Sequence, residues 1–161
     1  AATPLGICAV QFGPSDAALV ASLRARFPAA SIARSTDLLR FAMLRLRKLF
    51  DGEIRTVQLP IDVRATAFQA KVWESLCSIP FGETRTYADV ARAIGRPRAT
   101  RAVARACASN PVALIIPCHR VVGSDSKLRG YRWGVARKKA LLELEGAISA
   151  PAPACPPRSS R

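Results

Sequence analysis

Residues 114–123, LIIPCHRVVG, set the chain's one histidine directly after a cysteine inside an otherwise apolar run. Leu114, Ile115 and Ile116 lead in and Val121 and Val122 lead out, so the run reads as buried chain. Pro117 has no N–H to offer a ladder and ends regular structure there. A chain folded this way must carry a thiol (Cys118), a titratable ring (His119) and a permanent cation (Arg120) to the rim of its core. A base and a cation beside a thiol can bring its pKa below the free value of about 8.5 and raise the thiolate fraction. An activated Cys118 is therefore expected. For a Cys-His pair taken alone, a buried structural cysteine is the competing reading.

At 161 residues, half of them hydrophobic, the chain has material for one domain or two small ones. No apolar stretch approaches the roughly 20 residues of a membrane span, and no secretory leader is visible at the start. Cys8, Cys77, Cys107, Cys118 and Cys155 are widely spaced with no C-x-x-C, and only one His is available. A zinc site of the usual Cys/His kind is not expected, nor any other metal or cofactor. Free thiols in a reducing compartment are the simpler account.

Charge narrows the partner. The net charge is +14, and residues 85–139 carry 13 basic side chains against only Asp89 and Asp125. Only five of the 25 basic residues are Lys, and Arg suits phosphate forks and groove contacts. A polyanion, nucleic acid above all, is the expected partner. A generally arginine-rich composition is the bland alternative, although it would not concentrate the charge in one segment.

Residues 5–12 read as a strand. Ser15 and Asp16 cap a helix with Leu19, Val20, Leu23 and Phe27 on one face, ended by Pro28. Thr36 and Asp37 start another, with Leu38, Phe41, Leu44 or Leu46, and Leu49 inward, stopped at Asp51-Gly52. Residues 55–61 alternate like a second strand, and 62–66 form a linker. A helix from Phe68 carries Phe68, Val72, Trp73 and Leu76 inward. Thr86 caps the next, with Asp89 as capping-box partner and Gly95 closing it. Residues 98–109 form a further helix, stopped by Asn110-Pro111. Helix, tight turn and helix make a helix-turn-helix arrangement. Arg98, Arg101 and Arg105 fall within about 60° on the second helix's wheel, opposite Ala99, Val103 and Ala106. A solvated basic face is the alternative use of that stripe. Residues 124–127 are turn-like, a last helix covers 135–145, and 147–161 form a Pro/Ala/Arg tail expected to be disordered, Cys155 included.

PCHRV at 117–121, downstream of a helix-turn-helix with Tyr87 on its first helix and Arg101 on its second, resembles the O6-methylguanine-DNA methyltransferases. Asn110-Pro111, Gly130-Tyr131 and Leu-Glu-Gly at 144–146 fall in register, so the resemblance runs over about residues 5–146. YRWG at 131–134 is most similar to the transferase half of the bifunctional adaptive-response regulators. The resemblance implies an α+β chain. It has a small ribonuclease-H-like α/β unit over 1–62, short of the strand residues that normally precede the equivalent of Gly6-Ile7-Cys8, and a mostly helical winged-helix/helix-turn-helix unit over 66–146.

It also implies a single-turnover reaction in which Cys118 accepts an alkyl group from O6-alkylguanine, and from O4-methylthymine, in double-stranded DNA. The reaction needs no cofactor. The protein acts as a monomer wherever DNA is kept, bacterial cytoplasm and nucleoid or nucleus. His119 serves as base through a water, Glu145 orients it on triad logic, and Asn110 ties the turn to the active segment. Arg101 is the finger that fills the space of a flipped base. Tyr87 contacts the phosphate turn and the flipped guanine. Gln69, Ala88, Arg96 and Ser124 align with backbone-contacting positions, and Arg98 and Arg105 extend that set from the wheel. Pro117, Val121 and Tyr131 line the alkyl pocket. Small Ala102 and Ala106 beside Arg101 fit a minor groove. Three alternatives stand beside this reading: a lesion-binding protein that does not react, a thiol hydrolase using Cys118, His119 and Glu145, and a purely transcriptional module.

Overall fold

The computed structural model describes residues 1–34, 37–125 and 127–148. It is a mixed α+β arrangement of six helices and two small sheets. An antiparallel pair, β1 (Ala2–Thr3) and β2 (Gly6–Ile7), opens the chain, followed by α1 (Asp16–Arg26) and α2 (Asp37–Phe50). Then come α3 (Ala67–Cys77), β3 (Arg85–Thr86), α4 (Tyr87–Ala93), α5 (Thr100–Ala108), β4 (Val121–Val122) and α6 (Val135–Leu144). β3 and β4 pair in parallel, Arg85 with Val121 and Thr86 with Val122.

Helices α3 and α4 begin where side chains close their free N–H groups, whereas α5 and α6 start without a side-chain cap. Thr66 and Gln69 form a reciprocal capping box on α3, and Thr86 and Asp89 form the expected one on α4. Gly95, at φ +70, turns the chain out of α4 in the left-handed conformation glycine tolerates. A short turn then leads into α5. Trp73 on α3 donates its indole N–H to Ala106 O of α5 at 2.9 Å. Val72, Trp73 and Leu76, Val90 and Ala91, Val103 and Ala106, and Leu141 close one core around residues 112–116.

Several expectations fail in the first half, for identifiable reasons. The strand expected over 5–12 is confined to Gly6–Ile7, with one further bridge from Val10 to Val112. The strand expected over 55–61 contributes only the bridge of Ile61 to Ile7. Strand backbone persists only where neighbours satisfy its polar groups. Here they do so piecemeal: Ile7 N–H donates to Pro60 O at 2.8 Å, Asp62 N–H to Ile7 O at 3.0 Å, and Val10 N–H to Pro111 O at 3.0 Å. α1 starts as expected, with Ser15 accepting from Ala18 N–H, yet it buries no residue and leaves Val20 exposed.

On α2 the expected Leu46 and Leu49 do face inward, but Phe41 and Leu44 do not. Ala42 is buried as well, while Phe41 and Leu44 stand in solvent. Thr36, Ser126, the side chain of Leu38 and the tail from 149 onward, Cys155 included, lie outside the described residues. Arg98 sits in the turn before α5 rather than on it, because the helix begins only at Thr100 after Pro97 has fixed the turn.

Candidate active site

Residues 111–120 are buried without a break. Leu114 takes the left-handed conformation at φ +70, which costs a non-glycine residue about 1–2 kcal/mol. That tight reversal brings Ala113 opposite Ile116 and returns the chain toward the end of α5. Asn110, fully buried, closes the loop with both halves of its amide. Its Oδ1 accepts from Val112 N–H at 3.0 Å, and its Nδ2 donates to Ile116 O at 2.8 Å and to Cys118 Sγ at 3.2 Å. Asn110 is not a left-handed helix cap; Ser109 holds the cap position.

Cys118, His119 and Arg120 form a single 3₁₀ turn. His119 Nε2 lies 2.9 Å from Glu145 Oε1. Arg120 grips the same carboxylate twice, Nε to Oε2 and Nη2 to Oε1, both at 2.9 Å, and donates Nη1 to Ile79 O at 2.7 Å. The second ring nitrogen, Nδ1 of His119, is buried and meets no hydrogen-bond partner among the described residues. Lys138, entirely enclosed, donates to the carbonyls of Val121 and Arg129 and sits 5.9 Å from the centre of the Tyr87 ring.

The electrostatics depart from the expectation for Cys118. Burial pushes its thiol pKa up, opposed by the Asn110 hydrogen bond and the Lys138 charge. Arg120 does not act on the sulfur, because its guanidinium is committed to Glu145. Burial also lowers the His119 pKa, against the pull of Glu145. For Glu145, burial pushes upward, but the hydrogen bonds and charges of His119 and Arg120 together outweigh it and hold the carboxyl below its usual range. Tyr87 is pushed up to about 12 by burial, so its hydroxyl stays a donor near neutral pH.

Cys118 opens onto a cleft of about 510 Å³, a size that suits a small organic group. Tyr87, Ala104, Cys107 and Ala108 form one side, and Arg129, Gly130, Tyr131 and Arg132 the other. Of the expected pocket residues only Tyr131 reaches it. Val121 is buried behind, and Pro117 lines a different cleft, with Leu49 and Arg55, because the 3₁₀ turn sends it to the opposite side from Cys118. Arg101 and Arg105 are exposed on α5, Arg96 and Arg98 on the turn before it, and Ser124 on the turn after β4. Ala88 and Ala102 are half-buried, whereas Ala106 is buried against Trp73 and cannot meet a groove. Gln69 is engaged on both ends of its amide, Oε1 with Thr66 N–H and Nε2 with Ser109 Oγ, each at 2.9 Å. Tyr87 donates its hydroxyl to Arg129 O at 3.3 Å.

Two participants escaped the sequence reading: Lys138 beside the cysteine and Arg120 as clamp of Glu145. A signal for the first existed. Lys138, Leu141, Leu142 and Glu145 follow one another at helical spacing on a single face, so a lysine and a glutamate share the apolar side of α6.

This arrangement lies within a stretch of chain that is similar to known proteins. The family model described as 6-O-methylguanine DNA methyltransferase, DNA binding domain, matches residues 67–147. The chain belongs to the 6-O-methylguanine DNA methyltransferase family. It is 48% identical over 140 residues to the bifunctional transcriptional activator/DNA repair enzyme Ada of Escherichia coli, a match covering 87% of this chain and 40% of that protein. It is 51% identical over 106 residues to the methylated-DNA--protein-cysteine methyltransferase of Methanosarcina barkeri, 66% of this chain and 67% of that one. Among solved structures, the Mycobacterium tuberculosis methyltransferase in complex with DNA shares 49% identity at a TM-score of 0.64, covering 66% of each chain. The O6-methylguanine-DNA methyltransferase of Pyrococcus kodakaraensis shares 26% at a TM-score of 0.68, covering 89% of this chain and 88% of that one. The chain thus spans well under half the length of Ada, and nearly the whole of the archaeal methyltransferase's chain in that structure. No helix among the described residues is long and apolar enough to cross a membrane.

Proposed function

We propose that this chain repairs O6-alkylguanine, and O4-methylthymine, in double-stranded DNA by irreversible transfer of the alkyl group to Cys118. One observation carries the reading: Cys118 Sγ accepts a hydrogen bond from Asn110 in a cleft beside the basic helix α5, next to a buried His119–Glu145–Arg120 chain. A buried thiol with a raised pKa is inert until its proton has somewhere to go. His119 Nδ1, its ring held from behind by Glu145, is the base that takes that proton through a water, and Lys138 and Asn110 stabilise the thiolate left behind. Sγ attacks the alkyl carbon in line, the S–C bond forms as the C–O6 bond breaks, and the electron pair passes to guanine. The departing guanine takes up one proton from water as the Tyr87 hydroxyl turns to hydrogen-bond to it, and the proton held on His119 passes to water, so the net change is one proton from sulfur to base.

The substrate atom is inside a duplex, so the nucleotide must rotate into the cleft. Arg101 fills the space it leaves, with α5 in the minor groove, and Arg96, Arg98 and Arg105 hold phosphates with Ala88 and Ser124 alongside. This reading assigns residues 1–62 to a ribonuclease-H-like α/β unit and 66–146 to a winged DNA-binding and catalytic unit, acting as a monomer where DNA is kept. The thioether is a poor leaving group, so each molecule reacts once.

The test is incubation with duplex DNA carrying a labelled O6-methylguanine. One methyl mass should appear on the peptide containing Cys118, to a limit of one equivalent, and none in Cys118→Ser. Turnover beyond one equivalent, or label on another residue, would overturn the proposal.

A further inference from the structure

The basic side chains assigned to DNA so far all lie on one lip of the cleft, on α5 and the turn before it. The opposite lip, residues 129–132, carries arginines of two different kinds. Arg129 is ion-paired with Asp125 at 2.8 Å, so its charge is already answered. Arg132 is exposed, has no ion pair among the described residues, and stacks its guanidinium over Trp133 at 5.8 Å from the ring centre. Arg137, in the first turn of α6, likewise meets no carboxylate among the described residues. It donates Nη1 to Trp133 O at 2.8 Å and lies 5.8 Å from the centre of the Phe12 ring. Phe12 and Trp133 stand edge to face at 6.0 Å, and Trp133 and Tyr131 at 5.1 Å. Both guanidinium groups are therefore braced on one aromatic stack whose far end, Tyr131, is a wall of the cleft.

Unanswered like charges gathered at one rim repel each other, and a polyanion laid across them relieves that repulsion. Stacking on fixed rings also removes much of the rotamer freedom that an arginine loses on gripping a phosphate. We propose that Arg132 and Arg137 form a second phosphate grip on the lip opposite α5, so that a bound duplex is held by its backbone on both sides of the cleft. The proposal rests on the DNA-repair reading above, and it assigns these residues to the DNA strand nearer α6. No base contact is involved, so the grip acts alike on damaged and undamaged duplex.

The experiment measures affinity for an undamaged duplex, on which no transfer takes place, as a function of salt concentration. Each phosphate contact contributes about 0.9 to the slope of log affinity against log salt. Arg132→Ala should lower the slope by about 1 and Arg132→Ala/Arg137→Ala by about 2. Arg40→Ala, on α2, should leave it unchanged. Because Arg137 also holds Trp133 O, Arg132→Glu gives a check that leaves that hydrogen bond intact; it should weaken binding more than Arg132→Ala. An unchanged slope in the Arg132 variants, with normal binding by the parent, would overturn the second grip and leave the repair reading standing. An equal loss in Arg40→Ala would overturn it too, as an effect of net charge alone. Failure of the parent to bind any duplex would remove the repair reading itself, and the grip with it.

Discussion

From position 110 to 123 every residue is buried, whereas across the first 62 residues α1 buries nothing and α2 leaves Phe41, Met43, Leu44 and Phe50 on the surface. The polar groups differ in the same sense. Around Cys118, Asn110, Arg120, Lys138 and Glu145 are enclosed and hydrogen-bonded to one another or to backbone. The amino-terminal ion pairs, Arg34–Asp16, Arg40–Asp37, Arg47–Asp51 and Lys48–Glu53, all have substantially exposed side chains, and such pairs contribute about 0–1 kcal/mol each. The contrast shows where the molecule is vulnerable. In the enclosed network each member answers a neighbour's charge or lone pair, so removing one strands another. At the surface a lost partner is replaced by water.

The sharpest way to break this contrast is at Glu145. Glu145→Ala leaves a buried guanidinium and imidazole without their anion, and breaking a buried pair costs about 3–5 kcal/mol. Urea unfolding should show that loss, and transfer should fall with it; a change no larger than a surface substitution gives would refute the network. Lys138→Met keeps the volume but frees the carbonyls of Val121 and Arg129, an expected loss of about 1–3 kcal/mol. It also removes a charge that holds down the Cys118 pKa, so alkylation of Cys118 by iodoacetamide should slow at neutral pH and recover as pH rises.

Acid should expose the same asymmetry. The folded state depresses the His119 pKa below its ordinary 6.5, so the folded ring binds a proton less well than the unfolded one. The stability this gives is complete above about pH 6.5 and is lost as pH falls through the depressed value. Glu145, held below its ordinary 4.5, adds a second loss at lower pH by the same sign. His119→Gln should abolish the upper limb of a stability–pH curve and leave a smaller lower one, carried by the pairing of Arg120 with Glu145. Smallest of all, Phe41→Ser on α2 should shift stability by no more than about 0.5 kcal/mol. A larger loss would mean that this exposed ring is covered in solution.

The same contrast explains what could be read from residues alone. The capping box of Thr86 and Asp89, the burial around Cys118 and the helices α3 and α4 are set by local chemistry, and they stand where the sequence puts them. On α2 the sequence offers Phe41 and Leu44 as inward residues beside Leu46 and Leu49, and packing against the rest of the chain kept only the last two, with Ala42, in the core. The two expected strands shrank because pairing depends on a neighbour that no local pattern names. The charge on Cys118 was misjudged for a related reason. Adjacency in sequence suggests Arg120, but a turn in the backbone sends that side chain to Glu145, and the cation that lowers the thiol's pKa is Lys138, 20 positions away.

In Asn110 a single amide both knots a loop and solvates a nucleophile. Shape and chemistry share one side chain, so neither can be tuned alone. Engineered replacements at this position should therefore trade along one line, each gain or loss in thiol reactivity arriving with a matching change in melting temperature.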